Sequence, residues 1–287
     1  MKKIIIGSFI AANALFGQVT TLLPYFGTMD YANDPAKSTK DSSKFYGIYG
    51  STGDLDYLLE TNIGYLRTEF KDATKEDLKQ YDLSLAYSRY YKHFMYKVGI
   101  HHTNTTDKDL GDGNTFMLAL GGYKWVGYDK YSYGVEGYYS YYKDGHTDTG
   151  VESSIKLYQA TPYFQVSKAI NTNTRNVFDI KVNFAHADQY TTKDHTSFEV
   201  IDTLYYKKAY LMLKGYGGEM ISGVKDSGMT VYNTIDLMKK GFEAKAGYYF
   251  KSNMIGSISY GKNYYREYRQ TEDTTNSVLL ATFSYSF

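Results

Sequence analysis

From Val278 to Phe287 the chain reads Val-Leu-Leu-Ala-Thr-Phe-Ser-Tyr-Ser-Phe, and this alternation limits its possible folds more than any other stretch. Leu279, Ala281, Phe283, Tyr285 and Phe287 share one face, while Leu280, Thr282, Ser284 and Ser286 share the other. A period of two is the repeat of a β-strand, whose successive side chains point to opposite sides. The same two-faced pattern recurs upstream. Leu55, Tyr57, Leu59, Ile63 and Tyr65 oppose Asp56, Glu60, Asn62 and Gly64; Tyr81, Leu83, Leu85 and Tyr87 oppose Gln80, Asp82, Ser84 and Ser88; Phe178, Ile180, Val182 and Phe184 oppose Asp179, Lys181 and Asn183. A soluble sandwich also alternates, with its apolar faces turned into a core. These runs are longer than ordinary soluble strands, and their polar faces carry mid-strand charges of both signs, which suits a water-filled lumen.

Fourteen such runs can be drawn: Val19 to Tyr31, Lys44 to Ser51, Leu55 to Glu69, Leu78 to Tyr91, Phe94 to Thr103, Asn114 to Trp125, Tyr131 to Tyr142, Glu152 to Val166, Arg175 to Tyr190, Thr196 to Tyr206, Ala209 to Met220, Gly241 to Phe250, Met254 to Arg269 and Ser277 to Phe287. Their connectors alternate between brief ones, such as Lys92-His93 and Lys207-Lys208, and long charged ones, such as Asn104 to Gly113. Ser167 to Thr174 is less brief. That rhythm describes up-and-down hairpins in a single domain, with no internal repeat beyond it. Thr230 to Lys240 is the weak point. Thr230-Val231-Tyr232 reads as a strand, but counting it makes the total odd, so Ile221 to Lys240 is read as a long outer loop with a short strand of its own. Twelve or sixteen strands stay open.

The N-terminus adds a location. Met1-Lys2-Lys3 is a basic start, Ile4 to Ala12 is apolar, and small residues follow at Ala12-Asn13-Ala14 and Gly17. This is the layout of a secretory signal peptide, residues 1–17, cleaved after Ala14 or, preferably, between Gly17 and Gln18. Residues 18–287 then form the exported domain. No later run approaches the roughly 20 apolar residues of a spanning helix, and mean hydropathy is −0.47. Thirty-four Tyr against one Trp suit an interfacial girdle, because the ring can sit in an apolar boundary while the hydroxyl reaches water. Zero Cys excludes a disulfide scaffold and a thiolate zinc site. Lys and Arg total 32 against 31 Asp and Glu, so no basic excess points to nucleic acid.

With its signal peptide, its terminal Phe287 strand and its hairpin rhythm, the chain resembles bacterial outer-membrane β-barrel proteins of the porin type, across its whole exported length. The resemblance implies an all-β fold, a closed antiparallel up-and-down transmembrane barrel of about 14 strands, with both termini in the periplasm. It implies Phe283, Tyr285 and Phe287 as the signal read by the barrel-assembly machinery, and outer-membrane lipid and lipopolysaccharide as surroundings. The oligomeric state stays open. The match is to a class, so no family's functional residues transfer.

Alternation assigns to the lumen Asp56, Glu60, Asp82, Lys97, His101, Glu136, Asp179, Lys181, Asp202, Lys214, Glu243 and Lys245. Their simplest role is to satisfy one another across the lumen. Seven acids against four lysines predict a narrow diffusion pore for small hydrophilic solutes or ions with a weak preference for cations. Asp56, Glu60, Asp82 and Glu136 would face Lys181, Lys214 and Lys245 across it. The alternative is a surface or adhesive barrel whose outer loops act while the lumen stays closed. A carrier of apolar ligands fits the polar inner face less well.

The search for chemistry yields no enzyme. No Gly-x-Ser-x-Gly elbow occurs, and His101-His102-Thr103-Asn104 lacks the serine of a barrel lipase. Asp144, His146 and Asp148 share a loop but read as solvated charges. Asp107 to Asn114 departs from the EF-hand because Gly111 stands at the fifth ligand position and Asp112 at the sixth. The six His show no metal-ligand spacing. No metal and no cofactor are expected. Runs such as Tyr138-Tyr139-Ser140-Tyr141-Tyr142 read as girdle more readily than as a sugar platform.

Overall fold

The computed structural model describes residues 19–287 apart from 35, 107, 108, 110, 147–151, 189, 222, 226–229, 232–235 and 269. The signal peptide therefore lies outside the described residues, as do Asp107, Lys108, Asp148 and Tyr232. The strands are β1 (Val19–Tyr31), β2 (Lys40–Gly53), β3 (Tyr57–Phe70), β4 (Leu78–Tyr90), β5 (Phe94–Thr105), β6 (Gly113–Val126), β7 (Asp129–His146), β8 (Glu152–Asn171), β9 (Thr174–Ala187), β10 (Asp194–Tyr206), β11 (Ala209–Met220), β12 (Val224–Lys225), β13 (Thr230–Val231), β14 (Leu237–Lys251), β15 (Met254–Arg266) and β16 (Asp273–Ser286).

Fourteen of them, β1–β11 and β14–β16, form one closed barrel in which each strand pairs antiparallel with the next barrel strand along the chain, β11 with β14. Closure joins β1 to β16, with Thr20 N–H donating to the Phe287 carbonyl at 3.0 Å and Phe287 N–H to the Thr20 carbonyl at 2.9 Å. β12 and β13 pair only with each other, so the barrel count stays even. Several strands reach beyond their sequence-read ends, while β9 and β15 stop short of theirs, at Ala187 and Arg266. β2 starts at Lys40, β7 runs to His146, β8 runs to Asn171 and β14 starts at Leu237. The connector expected at Ser167 to Thr174 thus shrinks to a tight turn, because polar residues such as the inward, buried Ser167 continue the alternation.

The faces are inverted relative to a soluble protein. Ile63, Leu83, Leu118, Phe198, Leu213 and Ile258 point outward and are each 51–54 % exposed. Inside, Ser84, Ser88, Thr103, Ser140 and Thr161 are all buried. Burial of apolar side chains in a core therefore cannot be what holds the wall together. The continuous ladder does that, since closure leaves no strand with unpaired N–H and C=O groups along its edge. The C-terminal strand follows the same rule, with Leu279, Phe283, Tyr285 and Phe287 outward and Thr282 and Ser284 inward.

Glycine is required at two kinds of place. Gly47 lies under the inward Tyr25, and a Cβ there would come within 2.4 Å of the phenol oxygen and 2.3 Å of the Ile63 carbonyl. Gly218 has φ +98 where the β11–β14 register slips, a conformation that costs other residues dearly.

Candidate functional site: the lumen and an inserted segment

The stretch read as a long outer loop, Ile221 to Lys240, does not stand outside the barrel: Leu237 to Lys240 open β14, and the connector proper runs from Ile221 to Asp236. Its described residues fold inward and cross the lumen. Val224 is buried against Ala86 of β4, Met117 of β6 and Tyr138 of β7, with Tyr49 of β2 packed alongside. Gln159 of β8 clasps it there: Val224 N–H donates to Gln159 Oε1 at 3.0 Å, and Gln159 Nε2 donates to the Val224 carbonyl at 3.0 Å. An amide side chain thus takes the place of a strand partner for a backbone that would otherwise be buried without one.

Both ends of the segment are anchored as well. Ile221 joins Tyr142, Ile155, Leu157, Ala187 and Tyr190 in an apolar cluster at the long-loop end of β7–β9. Asp236 is buried, pairs with Lys40, and accepts the Tyr268 N–H at 3.0 Å. Beside it Glu267 accepts Ser38 Oγ at 2.8 Å and Thr39 N–H at 3.1 Å, tying the β1–β2 and β15–β16 connectors together. The short strand read at Thr230-Val231 is present as half of the β12–β13 hairpin.

The inner wall is charged along its height: Asp82 lies four residues nearer the long-connector end of β4 than the Ala86 that packs on Val224. Lys97 Nζ lies 2.7 Å from Glu60 Oε2, and Tyr49 donates its hydroxyl to Glu60 Oε1 at 2.8 Å. Asp82 gathers three partners in four contacts: Gln80 Nε2 reaches Oδ1 at 3.1 Å and Oδ2 at 2.9 Å, while Thr103 Oγ1 at 2.9 Å and His101 Nε2 at 3.0 Å meet Oδ1. The other His101 nitrogen meets Ser84 Oγ at 2.8 Å. Glu136 accepts the Tyr138 hydroxyl at 2.6 Å. Lys214 pairs with Glu199 at 3.1 Å. Asp179 is held by Gln165 Nε2 at 3.3 Å, with Lys181 two residues further along the same inward face. Glu243 and Lys245 also point inward, Glu243 opposite Lys214 in the β11–β14 register.

Two of the twelve candidates lie elsewhere. Asp56 belongs to the turn between β2 and β3, exposed and 4.0 Å from Arg89, because the Asp54 carboxylate accepts the backbone N–H of Asp56 and Tyr57 and delays the strand. Asp202 points outward with Phe198, Leu204 and Tyr206, and accepts Asn176 Nδ2 at 2.6 Å. The acid that faces inward on β10 is Glu199, which the sequence reading missed. Phe198, Val200, Leu204 and Tyr206 already set that phase; treating Asp202 as inward reversed it.

The mid-strand inward charges are therefore Glu60, Asp82, Glu136, Asp179, Glu199 and Glu243 against Lys97, Lys181, Lys214 and Lys245. No basic half faces an acidic one: Asp179, Glu199 and Glu243 balance the three lysines of the second half, while Glu60, Asp82 and Glu136 outnumber Lys97 in the first. At the tight-turn mouth Lys130 lies over the Tyr123 ring and Arg175 Nη1 donates to Ser167 Oγ at 2.8 Å. Among the described residues no group of three His, Asp or Glu could hold a metal ion.

A closed fourteen-stranded up-and-down barrel with an apolar outside and a charged inside is the fold of outer-membrane channels, and solved structures bear that likeness out. The monoaromatic hydrocarbon channel CymD superposes with a TM-score of 0.51 at 8 % identity, over 94 % of this chain and 88 % of that one. A FadL homologue from Pseudomonas aeruginosa gives 0.50 at 10 % identity over 94 % and 90 %. The Pseudomonas putida toluene transporter TodX gives 0.50 at 10 % identity over 94 % and 88 %. No protein-family model matches the sequence, and no curated protein matches it.

Proposed function

We propose that this chain is a bacterial outer-membrane channel for small hydrophilic solutes or ions, narrowed from within by its own inserted segment. The observation that carries the reading is the inversion of faces. An apolar outer wall with its edges closed matches lipid, where every backbone group must be satisfied internally. A charged, hydroxyl-lined inner wall matches water. Fourteen strands lie between eight, which side chains fill, and sixteen to eighteen, which leave an aqueous channel. The Val224 clasp narrows that intermediate lumen further. The tight turns and both termini face the periplasm, the usual arrangement of short and long connectors in such barrels. Six inward acids against four lysines favour cations weakly, by a smaller excess than the sequence alone implied.

Planar-bilayer recording of the purified protein tests this. Discrete conductance steps support the channel, and a silent bilayer refutes it. One observation favours a second reading: apolar packing of Ile221 and Val224 inside the lumen would suit a barrel kept closed while its outer connectors act. A silent bilayer together with connector-dependent binding to cells or glycans would support that reading.

A further inference from the structure

Between the Val224 clasp and the tight-turn mouth lies a chamber of about 400 Å3, within the range of small-molecule sites. Glu136, Asp179, Lys181, Gln165, Tyr163 and Trp125 are among its lining residues. Glu136 stands directly beneath the clasp, bonded to the same Tyr138 whose ring packs on Val224. The charges along this wall are not all spent on each other. Asp179 Oδ1 is buried with no hydrogen-bond partner, and Lys181 makes no ion pair within 4.0 Å among the described residues. Glu60 with Lys97 shows what a self-satisfied pair looks like in this lumen.

We infer that the chamber binds small zwitterions carrying both an ammonium and a carboxylate, the class of the free amino acids. Asp179 and Lys181 are two residues apart on β9, so their Cα atoms stand about 6.8 Å apart on one face. A single small molecule can therefore present its ammonium to Asp179 and Glu136 and its carboxylate to Lys181. Tyr163 offers its ring to the carbon skeleton and its hydroxyl to either end. A simple cation would leave Lys181 unanswered, and a simple anion would meet two carboxylates. The inference rests on the channel reading for the way the solute arrives, but not for its detection.

Trp125 is the only tryptophan of the chain and lines the chamber, so its fluorescence reports occupancy without any conductance. The full-length protein in detergent is titrated with glycine and with 4-aminobutyrate, and with butylamine and butyrate as single-charge controls. Calorimetry on the same samples covers the case of a silent tryptophan. At least one zwitterion is expected to saturate at concentrations at least tenfold below either control. Asp179→Asn and Lys181→Met should each weaken it at least tenfold, and the outward Asp202→Asn should not. A flat titration by both methods, butylamine binding as well as the zwitterions, or no effect of Lys181→Met overturns the inference. A conducting bilayer with a flat titration removes the site and leaves the channel. A silent bilayer with a saturating titration removes the channel and leaves the site.

Discussion

Replacing Gln159 by Leu should release the inserted segment. The substitution deletes an acceptor 3.0 Å from the Val224 N–H and a donor 3.0 Å from its carbonyl, at a place where Val224 and Gln159 are both buried. A buried backbone group left without its partner costs about 1–3 kcal/mol, so losing both costs roughly 2–6 kcal/mol if Val224 stays where it is. The docked position loses that amount relative to an undocked one in which water satisfies both groups. At about 1.4 kcal/mol per decade, the docked-to-undocked ratio falls by roughly thirtyfold to more than ten-thousandfold. Single-channel recording in lipid bilayers should show larger and noisier steps for Gln159→Leu than for the parent. Gln159→Glu keeps the acceptor for the N–H but loses the donor for the carbonyl, and should also release the segment. The chain has no Cys, so Val224→Cys supplies one unambiguous thiol. It should react slowly with a charged thiol reagent in the parent background and at least tenfold faster with Gln159→Leu added. Unchanged conductance together with unchanged thiol reactivity would refute the claim that the clasp narrows the lumen.

Neutralising Asp82, Glu136, Asp179 and Glu243 together should move the reversal potential in a salt gradient toward anions, most at low ionic strength, where the Debye length is longest. Asp56→Asn and Asp202→Asn should leave it in place, and a shift from that pair would put the inward assignment in error. Lys97→Met strands the buried Glu60 carboxylate and should destabilise the barrel by about 3–5 kcal/mol in denaturant unfolding, while adding Glu60→Met recovers most of the loss. Leu83→Arg on the outer face should cost about 2–4 kcal/mol when refolding into bilayers is measured, and far less in water-accessible positions. Gly218→Ala must take up φ +98 and would bring its Cβ within 2.4 Å of the Thr196 carbonyl, so the melting temperature should fall; an unchanged value would mean the bulge relaxes freely.

Whatever alternates with period two was legible along the chain. Leu83 and Leu85 outward with Asp82 and Ser84 inward, or Phe283 and Tyr285 outward with Ser284 inward, follow from strand geometry alone, and fourteen such runs imply the closed barrel. The pattern lost its phase at strand ends. Asp56 belongs to a turn because the Asp54 carboxylate holds two backbone N–H groups there, and a single polar residue at an outward position, Asp202, was enough to hide Glu199. Of the inserted segment only the short strand at Thr230-Val231 was legible, not its passage into the lumen. Ile221 and Val224 are isolated apolar residues without periodicity, and what draws them inward is supplied by strands far away in sequence: Gln159 is 65 residues from Val224, and Ala86 and Met117 are farther still. Local periodicity records which side of a wall a residue takes. Whether a connector stays outside or crosses the lumen depends on what the opposite wall offers, and only the closed barrel brings Gln159 and Tyr138 to face it.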